Sequence, residues 1–210
     1  MLILGYSTDI SEWGKLIDGL AQKYQVLAFD NRGAGRSDQP DVAYSIEGMA
    51  ADTAALMKAA GFRKTDILGI SMGGRVALSL ALQNPDMVRK LVLTSTGCRA
   101  AGSFRFQILN AVSNFPVWKS KFPQRRFAKA RQLEASRKFD CTAALNRIKA
   151  PAIILHGRKD KVAPYSIAEE MLSGITGSQM VTFNGGHLFF VLKLNEFLGE
   201  VFRFLDQQGE

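Results

Sequence analysis

Three side chains in this chain have types and positions suited to joint work on a carbonyl carbon. Ser71 lies in "DILGISMGGRVAL" (66–78), Asp160 in "IILHGRKDKVAP" (153–164) and His187 in "VTFNGGHLFF" (181–190). A serine hydroxyl is a poor nucleophile until a neighbouring base takes its proton, and neutral imidazole can do so near pH 7. A carboxylate on the other ring nitrogen fixes the tautomer and stabilises the imidazolium that forms. The order Ser…Asp…His along the chain is one of the known orders for such a set. There are only two histidines, which narrows the choice of base. His156 stands four residues before Asp160 and is read as ordering the acid's loop, so His187 is the expected base.

The three groups need elements that bring them together. Short, almost continuously apolar runs at 1–4, 26–29, 65–68, 91–94, 152–155 and 180–183 read as strands of a parallel sheet buried on both faces. Helical patterns alternate with them. Trp13, Leu16, Ile17 and Leu20 share one face, with Ser11 as the expected N-cap. Ile46, Met49, Ala50, Leu56, Met57 and Ala60 form a second stripe, which Ser45 should cap and Gly61 should end. Further helices are expected from Ser71 to Asn84-Pro85, over 166–172 and over 194–205. Strand–helix alternation predicts a doubly wound, mostly parallel α/β sheet of about six strands. Ligands of such sheets sit beyond the carboxyl ends of the strands. Ser71, Asp160 and His187 each follow a strand there. Gly69 and Gly73 fit a tight strand-to-helix turn around Ser71, and the helix that follows turns its positive end toward a developing oxyanion.

Composition bounds the function class. The 210 residues are 47% hydrophobic and 22% charged, as in an ordinary globular protein of one core. No apolar run reaches the ~18–20 residues of a membrane-spanning helix, and the start does not read as a signal peptide. Cys98 and Cys141 make no disulfide framework, so two reduced thiols in a cytoplasmic protein are expected. Between residues 99 and 149 there are 12 Lys or Arg against Glu134 and Asp140. That excess is larger than the whole chain's net charge of +8, so the rest is slightly acidic. Such clustering favours anionic ligands or surfaces. No zinc-finger spacing or RNA-binding aromatic motif accompanies it, so nucleic acid is not expected. Cysteine and histidine are too few and scattered for zinc, and no metal or organic cofactor is implied. "FDNRGAGRSD" lacks the third glycine and the Lys-Ser/Thr of nucleotide loops, and reads as a turn shaped by Asp30, Arg32, Gly33 and Gly35.

With "FDNRGAGRSDQP" (29–40), "YSIEGMAADTAALMKAAGF" (44–62), "ILGISMGGRVAL" (67–78), "PDMVRKLVLTST" (85–96), "ILHGRKDKVAP" (154–164) and "GGHLFF" (185–190), the chain resembles the α/β-hydrolase superfamily over nearly its whole length. It looks most like the small esterase, enol-lactonase and cofactor-free haloperoxidase branch. The resemblance implies Ser71 as nucleophile, Asp160 as acid and His187 as base. It implies the backbone N–H groups of Met72 and Tyr6 as oxyanion donors. It implies a core of residues 1–98 and 150–210 and a helical cap over 99–149. Phe104, Leu109 and Trp118 of that cap and Leu188 beside the base would line the substrate pocket. Two departures stand out. Leu4 replaces the histidine that usually precedes the oxyanion-loop glycine. The family's N-terminal strand pair is also missing from this sequence, so either a homodimer across the uncovered edge or a shortened form of reduced stability is expected. The expected activity is hydrolysis of a small ester or lactone, possibly anionic, through an acyl-enzyme, with no stable membrane insertion. Perhydrolysis with halide oxidation, carbon–carbon bond hydrolysis and a non-catalytic ligand-binding role are the alternatives. Bromination that needs peroxide and Ser71, or ligand retention without turnover, would distinguish them.

Overall fold

Each of the six apolar runs forms a strand. In the computed structural model, which describes residues 1–100 and 121–207, these are β1 (Leu2–Ile3), β2 (Ala28–Phe29), β3 (Thr65–Ile70), β4 (Val88–Thr94), β5 (Ala152–Gly157) and β6 (Gln179–Phe183). They make one parallel sheet in the order β2-β1-β3-β4-β5-β6. Alternate side chains point to opposite faces of a strand, so each strand feeds two cores. Ile67, Leu91, Leu93 and Ile154 enter one, and Leu68, Val92, Ile153 and Leu155 enter the other.

The first core is covered by α2 (Ile46–Ala59), α3 (Met72–Gln83) and α5 (Tyr165–Gly174) through Met49, Val76, Leu80, Ile167 and Met171. The second is covered by α1 (Gly14–Ala21), the short α6 (Phe189–Leu192) and α7 (Leu194–Asp206). Phe197 of α7 is fully buried and meets the rings of Phe189 and Phe190 at 6.2 and 5.8 Å. Removing a ring so enclosed costs about 3–5 kcal/mol.

Helix ends follow the sequence signals in part. The Ser45 hydroxyl accepts from the Gly48 N–H at 2.9 Å and so caps α2, and Gly61, at φ 78°, follows its end. Ser11 does not cap α1. A 3-10 turn at Ile10–Glu12 precedes that helix, and Asp9 caps the turn by accepting from the Ser11 N–H at 2.8 Å. The carboxylate is the stronger acceptor and stands one residue before the turn, so it takes the position. The sequence reading also lacked α6, whose four residues are too few to show a helical period.

Among the described residues of the basic insert, α4 (Arg126–Lys138) lies against the carboxyl end of the sheet and Arg99 pairs with Asp140 in an antiparallel bridge. Arg75 of α3, buried, donates to the carbonyls of Gly97 and Arg99 and to both the carbonyl and the hydroxyl of Ser136 on α4. Burial lowers its pKa to about 10. It therefore stays charged at neutral pH and draws the insert onto the helix that follows Ser71.

Candidate active site

β3 ends at Ile70, and α3 begins at Met72. Ser71 makes the whole turn between them, at φ 54° and ψ −117°. For a residue with a Cβ such a conformation costs on the order of 1–3 kcal/mol and persists only when its surroundings enforce it. They do so through three backbone contacts. The Ser71 N–H donates to the Thr94 carbonyl at 2.9 Å. Its own carbonyl accepts from the Gly74 N–H at 3.0 Å and from the Thr96 hydroxyl at 2.6 Å. The glycines serve the same turn. A Cβ on Gly73 would stand 2.1 Å from the Ile3 carbonyl oxygen, and one on Gly69 would stand 2.6 Å from that of Gly73. Only hydrogen fits where β1 and the start of α3 approach so closely. The Ser71 side chain makes no cap bond to its own helix, and its hydroxyl points instead to His187.

His187 Nε2 lies 3.0 Å from Ser71 Oγ, and its Nδ1 lies 2.8 Å from Asp160 Oδ2. The carboxylate can only accept, so Nδ1 carries the proton and Nε2 is left to accept from the serine hydroxyl. The Asp160 side chain has no solvent exposure, while that of His187 keeps 17%. Asp160 is nevertheless satisfied: its Oδ1 accepts from the N–H groups of Val162 and Ala163 at 2.8 and 2.9 Å. His156 donates from Nε2 to the Ala163 carbonyl at 2.8 Å, and so closes the loop that carries the acid. Burial lowers its pKa, which keeps it neutral. The Ser95 hydroxyl, at the end of β4, donates to the His187 carbonyl at 2.7 Å.

The loop after β1 meets the turn from the other side. A Cβ on Gly5 would lie 3.4 Å from Ser71 Cβ, and Tyr6 follows it, buried. Where Leu4 stands, a backbone contact does the holding: Asn31 Nδ2 donates to the Leu4 carbonyl at 2.9 Å. Asp30 accepts from the Ile10 N–H at 2.7 Å and the Arg36 N–H at 2.9 Å, which ties the 30–38 turn to this loop. Arg32 pairs in bidentate fashion with Asp52 at 2.7 Å. That turn is structural, as its sequence suggested. Met72, also buried, opens α3, and unpaired N–H groups at a helix start favour negative charge.

Among the described residues, no three His, Cys, Asp or Glu side chains are grouped to hold a metal ion, and no helix is long and apolar enough to cross a membrane. Residues 1–139 match the family described as the alpha/beta hydrolase fold. The chain belongs to the α/β-hydrolase family. The superfamily protein YisY of Bacillus subtilis is 30% identical over 78% of this chain and 75% of its own length. The RutD protein of Rhizobium rhizogenes is 26% identical across all of this chain and 93% of its own. Among solved structures, a hydrolase from Pseudomonas aeruginosa superposes with a TM-score of 0.87 at 25% identity, covering 98% of this chain and 88% of that one.

For this α/β hydrolase, Ser71, His187 and Asp160 come together from the ends of β3, β6 and β5, with Gly5 close to the Ser71 Cβ. Leu188 is half-buried and packs against the second core. Phe104, Leu109 and Trp118 lie outside the described residues. Sequence reasoning missed Ser95, Thr96 and Gln132. The first two stand just past β4, where the rule used for Ser71 would have found them.

Proposed function

We propose that this α/β hydrolase cleaves a small carboxylic ester or lactone by way of an acyl-enzyme on Ser71. The observation that carries the reading is the unbroken line from Ser71 Oγ to His187 Nε2 at 3.0 Å and from Nδ1 to the buried Asp160 at 2.8 Å. As Ser71 Oγ bonds to the carbonyl carbon, its proton passes to His187 Nε2, and Asp160 stabilises the resulting imidazolium. The backbone N–H groups of Met72 and Tyr6 take the oxyanion. Collapse of the tetrahedral intermediate breaks the bond to the leaving alkoxide, which receives the proton from Nε2. Water, deprotonated by the same nitrogen, then releases the acid and restores Ser71.

The 99–149 segment is read as a cap over the acyl or alcohol group. Its basic residues favour a substrate that carries a carboxylate. RutD is provisionally named a carbamate hydrolase, and a carbamate offers the same kind of electrophilic carbonyl, so it joins the candidate substrates. The test is a panel of p-nitrophenyl acyl esters, γ- and δ-lactones and carbamates given to the purified protein and to Ser71→Ala. The reading expects a burst of p-nitrophenol equal to the enzyme present, absent in Ser71→Ala. Turnover that survives Ser71→Ala contradicts it.

A further inference from the structure

The loop that carries Tyr6 is suspended at three places. The 30–38 turn holds two of them, through Asn31 on the Leu4 carbonyl and Asp30 on the Ile10 N–H. The third comes from α4. Gln132 is fully buried, and its Oε1 accepts from the Ser7 N–H at 3.1 Å, from 125 residues away in sequence. Its Nε2 donates to the Arg32 carbonyl at 2.7 Å. One carboxamide thus joins the basic helix, the loop and the turn, with donor and acceptor both used.

We infer that Gln132 is a positioning residue, through which α4 sets the geometry of the oxyanion site. The inference rests on the proposed role of the Tyr6 N–H. Ser7 sits at φ 58°, a conformation that a residue with a Cβ adopts only when it is held there. Its N–H follows the Tyr6 N–H by one residue, so fixing the Ser7 N–H fixes the peptide plane next to the oxyanion donor. Gly5 places no side chain on the loop that could hold it instead. Without the carboxamide, the Ser7 N–H and the Arg32 carbonyl would both need new partners in a half-buried setting. The loop would relax, and the donor would move from where the oxyanion forms. Arg75, which also joins α4 to the core, touches none of these loop groups in its bonds to Gly97, Arg99 and Ser136. Gln132 is thus a direct contact through which a shift of α4 would reach the loop beside the reacting atoms.

The experiment uses Gln132→Met, which keeps the length and bulk of the side chain and removes both hydrogen bonds. p-Nitrophenyl butyrate is the substrate, and an aryl trifluoromethyl ketone, whose serine adduct carries an oxyanion, is the inhibitor. A donor misplaced by a fraction of an ångström to 1 Å lowers kcat by about 10- to 100-fold with KM changed less than about twofold. Affinity for the ketone falls by the same factor as kcat. Gln132→Glu, which still accepts from the Ser7 N–H, recovers most of the lost kcat. If Gln132→Met does not fold, Gln132→Asn, whose amide is withdrawn by one methylene, is read for the same split. Wild-type kcat in the folded variant, or a fall in melting temperature with kcat and ketone affinity unchanged, overturns the inference. A wild-type protein that neither turns over the ester nor takes up the ketone removes the proposed function instead, and is recognised before any variant is made.

Discussion

At the carboxyl end of the sheet, β1, β3 and β4 each lead into a serine with positive φ: Ser7 at 58°, Ser71 at 54° and Ser95 at 47°. Around them are buried polar groups that hold backbone, among them Asp160, Gln132 and, through its Nδ2, Asn31. The amino end of the same sheet is different. There Met1, Val26, Leu68, Val92 and Leu205 border a mostly apolar cavity of about 270 Å³, and an ion pair between Arg89 and Asp66 lies at its rim. One end holds its backbone in costly conformations by hydrogen bonds, and the other leaves space unfilled. The contrast teaches that local strain and dense polar pairing mark the end where side chains must be aimed. A partly open apolar pocket is tolerated where burial alone is required.

Changes at the two ends should therefore differ in kind. The largest effect is expected for Asp160→Asn. An amide in that place favours the wrong tautomer of His187, and kcat on a p-nitrophenyl ester should fall about 10⁴-fold with the melting temperature little changed. An Asp160→Asn enzyme of near wild-type kcat would break the assignment of strain to aim. Gly73→Ala comes next. Its methyl would meet the Ile3 and Leu4 carbonyl oxygens at 2.1 and 2.5 Å, and the backbone of β1 cannot yield cheaply. A loss of about 3 kcal/mol or more in urea unfolding is expected, together with lost activity.

The third effect is confined to acid. His156 is buried and its folded pKa lies below 6.5, so between the two values the unfolded chain binds the extra proton. Its contribution is intact above about pH 6.5 and is lost as pH falls from there toward the folded value. His156→Gln keeps a donor toward the Ala163 carbonyl and should flatten the fall in urea midpoint below pH 6.5. An equally steep fall in the variant would assign the acid sensitivity elsewhere. The smallest effect belongs to the amino end. Val92→Ile adds one methylene beside the cavity and should raise stability by about 0.5–1 kcal/mol with kcat unchanged. Lower stability would mean that this end is packed as tightly as the other.

Most of the framework was legible in the sequence, because it rests on local patterns. Continuous apolar runs marked the strands, and the positions of Ser71, Asp160 and His187 just past three of them marked the candidate site. What stayed hidden depends on contacts made across the fold. Gln132 reads as one polar residue in a basic helix, and only folding brings it to Ser7 and Arg32. Asn31 looks like a turn residue, and its grip on the Leu4 carbonyl is likewise invisible in sequence. Ser11 reads as a helix cap because the 3-10 turn that Asp9 caps leaves no periodic trace.

The central claim is that Ser71 is activated by His187. It is tested most directly by treating the folded protein with a fluorophosphonate and reading intact mass and modified peptides. One adduct per chain, located on Ser71 and lost in His187→Ala, is the expected result. An unmodified Ser71 in folded protein, or labelling undiminished in His187→Ala, would contradict the account.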